Sequence, residues 1–164
     1  MTQDHSVSGV IHQINVSPGG VPKLPVDEAR VTRLGIVRDG HDDQESHGGP
    51  LAALCLYSLE VIERLQAEGH PIAAGTTGEN VTLAGADWSA MVPGARLALG
   101  GEVVIELTDY ATPCKTIRES FVDQEFVRIS HKLHPGESRV YARILREGTI
   151  RPGDKAQLLP PESV

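Results

Sequence analysis

The chain has 164 residues and a mass of 17.6 kDa, with 40% hydrophobic, 23% charged and 4% aromatic residues. These proportions suit one soluble globular domain spanning residues 1–164 and exclude a collagen-like or low-complexity chain. With 15 Lys and Arg against 22 Asp and Glu, the net charge of −7 excludes a broad electrostatic grip on nucleic acid or anionic membrane, though a local basic pocket stays compatible with it.

The 17 Gly and 11 Pro are scattered as short turn signals, which suits many short strands better than a helical bundle. Cys55 and Cys114 are too few for a disulfide framework, so a reducing compartment is expected. Met1 to Ser6 has neither the basic nor the apolar region of a signal peptide, and no apolar run is long enough to span a bilayer. The expectation is a soluble, cytoplasmic protein with no membrane or nucleic-acid partner.

The β-branched segment Val7 to Val16 reads as a first strand, with Val10, Ile14 and Val16 on one face, closed by Ser17-Pro18-Gly19-Gly20. Pro22 and Pro25 force Val21 to Val26 into an extended edge segment. Ala29 to Val37 predicts another strand, followed by a polar loop through Gly49. From Pro50, Leu51, Leu54, Cys55, Ser58, Ile62 and Leu65 recur at helical spacing, predicting one long helix that Gly69 stops. Asn80 to Ala84 reads as a short strand and Asp87 to Ala90 as a helical turn. Ala95 to Leu99 and Glu102 to Thr108 form a hairpin around Gly100-Gly101. A helix is expected from Thr112-Pro113-Cys114 to about Ser120, and a bent helix fits Phe121 to Leu133. Arg139 to Leu145 and Lys155 to Leu159 read as closing strands, with a frayed tail from about Pro160. Met91-Val92-Pro93-Gly94 and Ile150-Arg151-Pro152-Gly153 are the same turn device ahead of a strand, which favours a small barrel.

Cys114 is the residue that most invites chemistry. With Thr112 as N-cap and Pro113 as first helical residue, its thiol would sit in the first helical turn near Lys115 and Arg118, a setting that favours thiolate. The plainer alternative is a small core residue. Cys55, on the expected apolar helix face, reads as core. His47-Gly48-Gly49-Pro50 would deliver a histidine and two permissive residues into a helix start able to meet an anion, or simply enter a helix. His41, Asp42, Asp43 and His47 lack zinc-ligand spacing and read as a solvated acidic loop. Gly75-Thr76-Thr77-Gly78-Glu79-Asn80 is no phosphate loop, because no Lys-Ser/Thr follows; Glu79 and Asn80 could face a pocket or merely close a turn.

The pieces resemble the MOSC domain family, named after the C-terminal domain of molybdenum cofactor sulfurases, and its stand-alone bacterial members in particular. The resemblance runs through Gly19-Gly20-Val21-Pro22-Lys23, His47-Gly48-Gly49-Pro50, Leu56-Tyr57-Ser58 with Glu60, and Glu68-Gly69-His70-Pro71. It continues through Gly78-Glu79-Asn80-Val81-Thr82 with Gly85, Pro93-Gly94, Gly100 and Thr112-Pro113-Cys114. It implies a mainly β fold, a MOSC-type β-barrel with a few peripheral helices. It also implies a molybdenum-pterin cofactor, with Cys114 as molybdenum ligand or as a persulfide carrier of sulfur. By the same resemblance Lys23, His47, Gly48, Gly49, Glu79, Asn80 and Thr112 would line the cofactor pocket. The activity implied is reduction of N-hydroxylated compounds with a small-molecule substrate and a redox partner protein; pyridoxal phosphate belongs to a separate sulfurase domain and is not expected. Family members often show Gly-Asp-Arg-His and an Asp-Arg after His-Gly-Gly-Pro, where this chain has Arg38-Asp39-Gly40-His41 and Leu51-Ala52. Two other readings remain open from the residues: a small-anion binding module with an inert Cys114, and a cysteine hydrolase with His47 or His131 as base.

Overall fold

The computed structural model describes residues 8–40 and 49–160. Eleven strands and one α-helix follow in chain order: β1 Ser8–Val16, β2 Leu24–Val26, β3 Ala29–Thr32, β4 Gly35–Ile36, β5 Leu54–Ser58, α1 Leu59–Ala67, β6 Val81–Ala84, β7 Arg96–Leu99, β8 Val103–Tyr110, β9 Val140–Arg146, β10 Gly148–Ile150 and β11 Lys155–Leu158. The hydrogen-bonded order β11-β7-β8-β9-β5-β6-β1 closes on itself through pairing of β1 with β11, a mainly β barrel in which β2 adds an outer strand to β1. Closure removes the unpaired edges that an open sheet would expose. The strands β10, β3 and β4 form a separate small sheet.

Only β5 and β6 run parallel, and parallel neighbours need a crossover that a tight turn cannot supply. Helix α1 is that crossover. Ser58 caps it by accepting the Val61 amide, and Val61, Ile62 and Leu65 bury against the barrel. The segment from Pro50 to Gly69 is therefore not one helix as the periodicity suggested: it is a short 3-10 turn (Pro50–Ala52), strand β5, and then α1. All five residues of β5 are buried, so its two faces are both apolar, and a run of this kind matches helical spacing as readily as strand spacing.

Other expectations are met or corrected in the same physical terms. The first strand forms, yet Val10 is exposed while Ile11 and Ile14 are buried, because the pairing with β6 slips between Ile11 and Gln13 and turns the strand over. Ala29 to Val37 is broken at Arg33-Leu34 into the hairpin of β3 and β4. The edge segment, the hairpin of β7 and β8, the Trp88–Ala90 turn and the Pro-Gly entries to β7 and β11 are present. Phe121 to Leu133 contains two short 3-10 turns rather than a bent helix, since Asp123 and Gln124 adopt φ of 55° and 58°. Strand β10 had no counterpart in the sequence reading. Residues beyond Pro160 lie outside the described ones. No helix among the described residues is long and apolar enough to cross a membrane.

Ile14, Leu54, Leu83, Leu97, Leu99 and Ile105 are fully buried and fill the barrel from five different strands. Truncating one should leave a void that neighbouring strands, held by closure, cannot collapse into. Ile105→Ala is expected to lower unfolding free energy by about 2–5 kcal/mol. Val92→Ala, at a position 43% exposed, should change it by no more than ~0.5 kcal/mol. Urea denaturation of both variants checks this contrast.

Candidate functional site

A cavity of about 610 Å³ opens where β8 ends and β6 and β9 begin. Cys55, Asn80, Cys114, Arg139, Tyr141 and Lys23 contribute to its wall, drawn from five separate stretches of chain. The barrel brings them together: Cys55 on β5 is the cross-strand partner of Tyr141 on β9, and Val140 pairs with Tyr110 at the end of β8.

One side of the wall is a buried polar junction. Asp39, with a side chain 2% exposed, accepts Lys23 Nζ at 2.7 Å on each carboxylate oxygen. Its Oδ1 also accepts the Ser17 amide at 3.0 Å and its Oδ2 accepts Asn80 Nδ2 at 2.8 Å. Asn80 in turn accepts the Cys55 amide at 3.0 Å through its side chain and donates its own amide to the Cys55 carbonyl at 2.7 Å. Asn80 thus faces the cavity as expected, but as a clamp between strands. Lys23 is on the wall too, with its charge already matched by Asp39. Asp39 was not singled out from the sequence, because nothing local shows that it meets a lysine 16 positions earlier. Gly40 follows it, and a Cβ there would overlap the Pro18 carbonyl oxygen, so the turn that delivers Asp39 requires glycine.

Glu79 does not line the cavity. It is fully buried beneath it, accepting Thr77 Oγ1 at 2.8 Å, Thr82 Oγ1 at 3.0 Å and the Gly75 amide at 2.9 Å. Burial pushes its carboxyl above the ordinary value near 4.5, while these hydrogen bonds pull the other way. Its role is to tie the 75–82 loop to itself.

The two cysteines are both free thiols and both on the wall. Cys55 is buried, and desolvation raises its pKa to about 11 in spite of the attraction of Arg139, so it remains a protonated thiol. The expectation that Cys55 is buried holds, although it sits on a strand and not on a helix. Cys114 is half-buried and its Sγ lies 2.9 Å from Thr116 Oγ1. The expected helical setting for it is corrected: Thr112 is not an N-cap, and Cys114 itself, in extended conformation at φ −138°, precedes a six-residue 3-10 turn from Lys115 to Ser120. Pro113 directs the chain out of β8 in place of starting an α-helix. Thr112 is exposed on the cavity rim.

Gly49 has a φ of 76° and precedes a 3-10 turn of only three residues, so no helix starts there to meet an anion. His47 and Gly48, with His41, Asp42 and Asp43, lie outside the described residues. Among the described residues no three His, Cys, Asp or Glu side chains gather as a metal site. His131, read as a base for a hydrolase, stacks on Tyr110 at 3.5 Å between ring centroids and is absent from the cavity wall. Arg139 was read only as the start of a strand. It is 6% exposed, and its Nη1 donates to the Thr77 carbonyl at 2.7 Å.

A closed β-barrel with a half-buried thiol in a mostly apolar cavity that carries a few buried polar groups defines a class of small cysteine-bearing barrels. The sequence profile of the MOSC domain matches residues 43–157, which is more than half of the chain, and the chain belongs to the MOSC domain family. It is 30% identical over 142 residues to the uncharacterized protein YflK of Bacillus subtilis (strain 168), covering 85% of this chain and 63% of that one. The chain therefore spans less than two thirds of that relative. Among solved structures, YiiM from Geobacillus stearothermophilus superposes with a TM-score of 0.70 at 25% identity, covering 93% of this chain and 75% of that one. YiiM from Escherichia coli shares the fold with a TM-score of 0.72 at 21% identity, over 95% of this chain and 72% of that one.

Asp39→Ala would leave the Lys23 ammonium buried without a counter-charge, and a loss of about 3–5 kcal/mol in unfolding free energy is expected. Lys23→Ala combined with Asp39→Ala should cost less than the sum of the two single changes, which a double-mutant cycle in urea measures. Glu79 gives a pH signature. Its folded pKa lies above the unfolded one, so its contribution to stability is complete below that unfolded value and is lost as pH rises through the folded value. Wild-type stability relative to Glu79→Gln should therefore fall as the pH is raised above the ordinary carboxylate range. A difference that stays constant as the pH is raised overturns the assignment.

Proposed function

We propose that the cavity holds a molybdenum-pterin cofactor with Cys114 as sulfur ligand to the metal, in a cytoplasmic protein that reduces N-hydroxylated small molecules and draws electrons from a redox partner protein. The observation that carries this reading is the placement of Cys114: a half-buried thiol facing a cavity of about 610 Å³, in a family named for molybdenum cofactor chemistry. A cavity of this size lies within the roughly 300–1,000 Å³ of cofactor and small-ligand sites.

The donor set fits a metal that arrives with ligands of its own. Among the described residues one accessible thiol is offered and no three-residue ligand cluster exists, so the protein alone would not build a coordination shell. A thiolate sulfur is a soft, strong donor and suits a metal centre that arrives already bound to a carrier. When bound, such a group supplies two-electron redox chemistry. The chain's own residues do the rest: Cys114 provides the sulfur, and Thr116 Oγ1 at 2.9 Å from it fixes where that sulfur points. Asn80, clamped to Asp39 and to the Cys55 amide, keeps the opposite wall rigid. Cys55 stays protonated and so does not compete as a ligand. Lys23, neutralised by Asp39, contributes rigidity in place of the phosphate contact that a free lysine would make. The same accessible thiol can hold sulfur as a persulfide, and this second reading rests on that one property of Cys114.

Protein purified after expression with molybdate is expected to contain molybdenum and a fluorescent pterin, and Cys114→Ser to lose the metal by tenfold or more while keeping its fold. Cyanide-labile sulfur on Cys114 in metal-free protein would instead support the carrier reading. A Cys114→Ser variant with undiminished molybdenum and no loss of labile sulfur overturns both.

A further inference from the structure

We infer that Arg139 is the anchor of an oxyanion subsite in the Cys114 cavity, and that the ligand of this protein presents a phosphate-type or carboxylate-type group to its guanidinium. The inference rests on the reading of the cavity as a ligand site, and it holds whether or not that ligand carries molybdenum.

A guanidinium stays charged at any physiological pH, so burying one demands a counter-charge or a full set of acceptors. Several other cations have a carboxylate partner. Arg128 pairs with Glu68 and Glu137, Arg96 and Arg143 share Glu106, and Lys23 holds Asp39 through both of its oxygens. Arg139 differs. It is 6% exposed, yet among the described residues no carboxylate pairs with it. Nη1 has the Thr77 carbonyl, and Nε is buried with no hydrogen-bond partner among the described residues.

The nearby acids are otherwise engaged. Glu79 spends its oxygens on Thr77, Thr82 and Gly75, and Asp39 is saturated by Lys23, Ser17 and Asn80. Asp109, the remaining carboxylate of the wall, is exposed and accepts the Tyr110 amide. Among the described residues this leaves a positive charge in the cavity wall with no carboxylate partner and an Nε that makes no hydrogen bond. A guanidinium fork matches an oxyanion with two parallel hydrogen bonds, and these are strengthened where water is scarce. Tyr141, Cys55, Arg139 and Cys114 all line the same cavity. An anion held by Arg139 therefore lies within the cavity that Cys114 faces.

Alkylation of Cys114 tests this without any need for the native ligand. In a Cys55→Ala background, the rate with iodoacetate is divided by the rate with iodoacetamide. The two reagents attack the same sulfur and differ in charge, so the ratio cancels the reactivity of the thiol. Arg139→Gln is expected to lower this ratio by about tenfold, a size within reach of one charge acting across a partly dry cavity. Arg139→Lys, which keeps the charge and loses the fork, should fall between them. In the Arg139-containing protein, inorganic phosphate should slow both reagents beyond the effect of chloride at matched ionic strength. Acetate serves as the parallel arm: stronger protection by phosphate assigns a phosphate group, and stronger protection by acetate a carboxylate. An unchanged ratio in both variants, or phosphate and acetate protection no greater than that of chloride, overturns the inference. Because the phosphate arm needs no variant, a misfolded Arg139→Gln protein would not shield it. Anion protection in a protein that never holds molybdenum sinks the metal reading alone, and a molybdenum-loaded protein with no Arg139 dependence sinks this one alone.

Discussion

Asp39 is the point on which the cavity depends. A barrel closed by pairing β1 with β11 satisfies its own backbone around the ring, but at the end where β6 and β9 begin, loops must cover apolar strands and bring polar groups with them. Those groups cannot be left unpaired without a cost of about 1–3 kcal/mol each. One carboxylate resolves three of them: the Lys23 ammonium after β1, the Ser17 amide in the turn, and the Asn80 side chain ahead of β6. The loop after β1, the end of β4 and the start of β6 are thereby locked to one another, and the cavity acquires a wall that does not shift with its contents.

This junction also decides which cation is available to a ligand. Lys23 and Arg139 both reach the wall, and by composition alone either could meet an anion. Lys23 is chelated by both oxygens of Asp39 at 2.7 Å, so a ligand would have to compete with a buried carboxylate for it. Arg139 has only a carbonyl. A lysine that stiffens and an arginine that waits are different uses of one charge type, and the partner of each, not its identity, distinguishes them.

Much of the architecture is legible in the sequence wherever the signal is local. The Pro-Gly turns ahead of β7 and β11, the Gly100-Gly101 hairpin and the prolines of the β2 edge each encode a backbone restriction within a few residues. The stretch from Leu54 to Ser58 was misread because a strand buried on both faces carries no alternation, and Leu51, Leu54, Ile62 and Leu65 then complete a false helical stripe. Cys114 and Asn80 were recognisable as cavity residues through the family's motifs, which carry order and spacing along the chain. Asp39 and Arg139 were not, since their significance lies in contacts with Lys23 and Thr77, 16 and 62 positions away. The helical setting expected for Cys114 failed for a local reason: after Pro113 the chain stays extended through Cys114 and then winds only a 3-10 turn.

The fate of the two thiols follows from the same geometry. Cys55 and Cys114 face one cavity, but Cys55 lies near the start of β5 with its own amide and carbonyl both held by Asn80, and its buried thiol stays protonated. Cys114 sits in a connection, half-buried, on a chain that leaves the barrel wall. Its sulfur lines the cavity, and among the described residues Thr116 is its hydrogen-bond partner. A strand position buries the Cys55 thiol, whereas the connection after β8 leaves the Cys114 thiol partly exposed on the cavity wall. The barrel thus makes one cysteine part of the container and the other part of its contents.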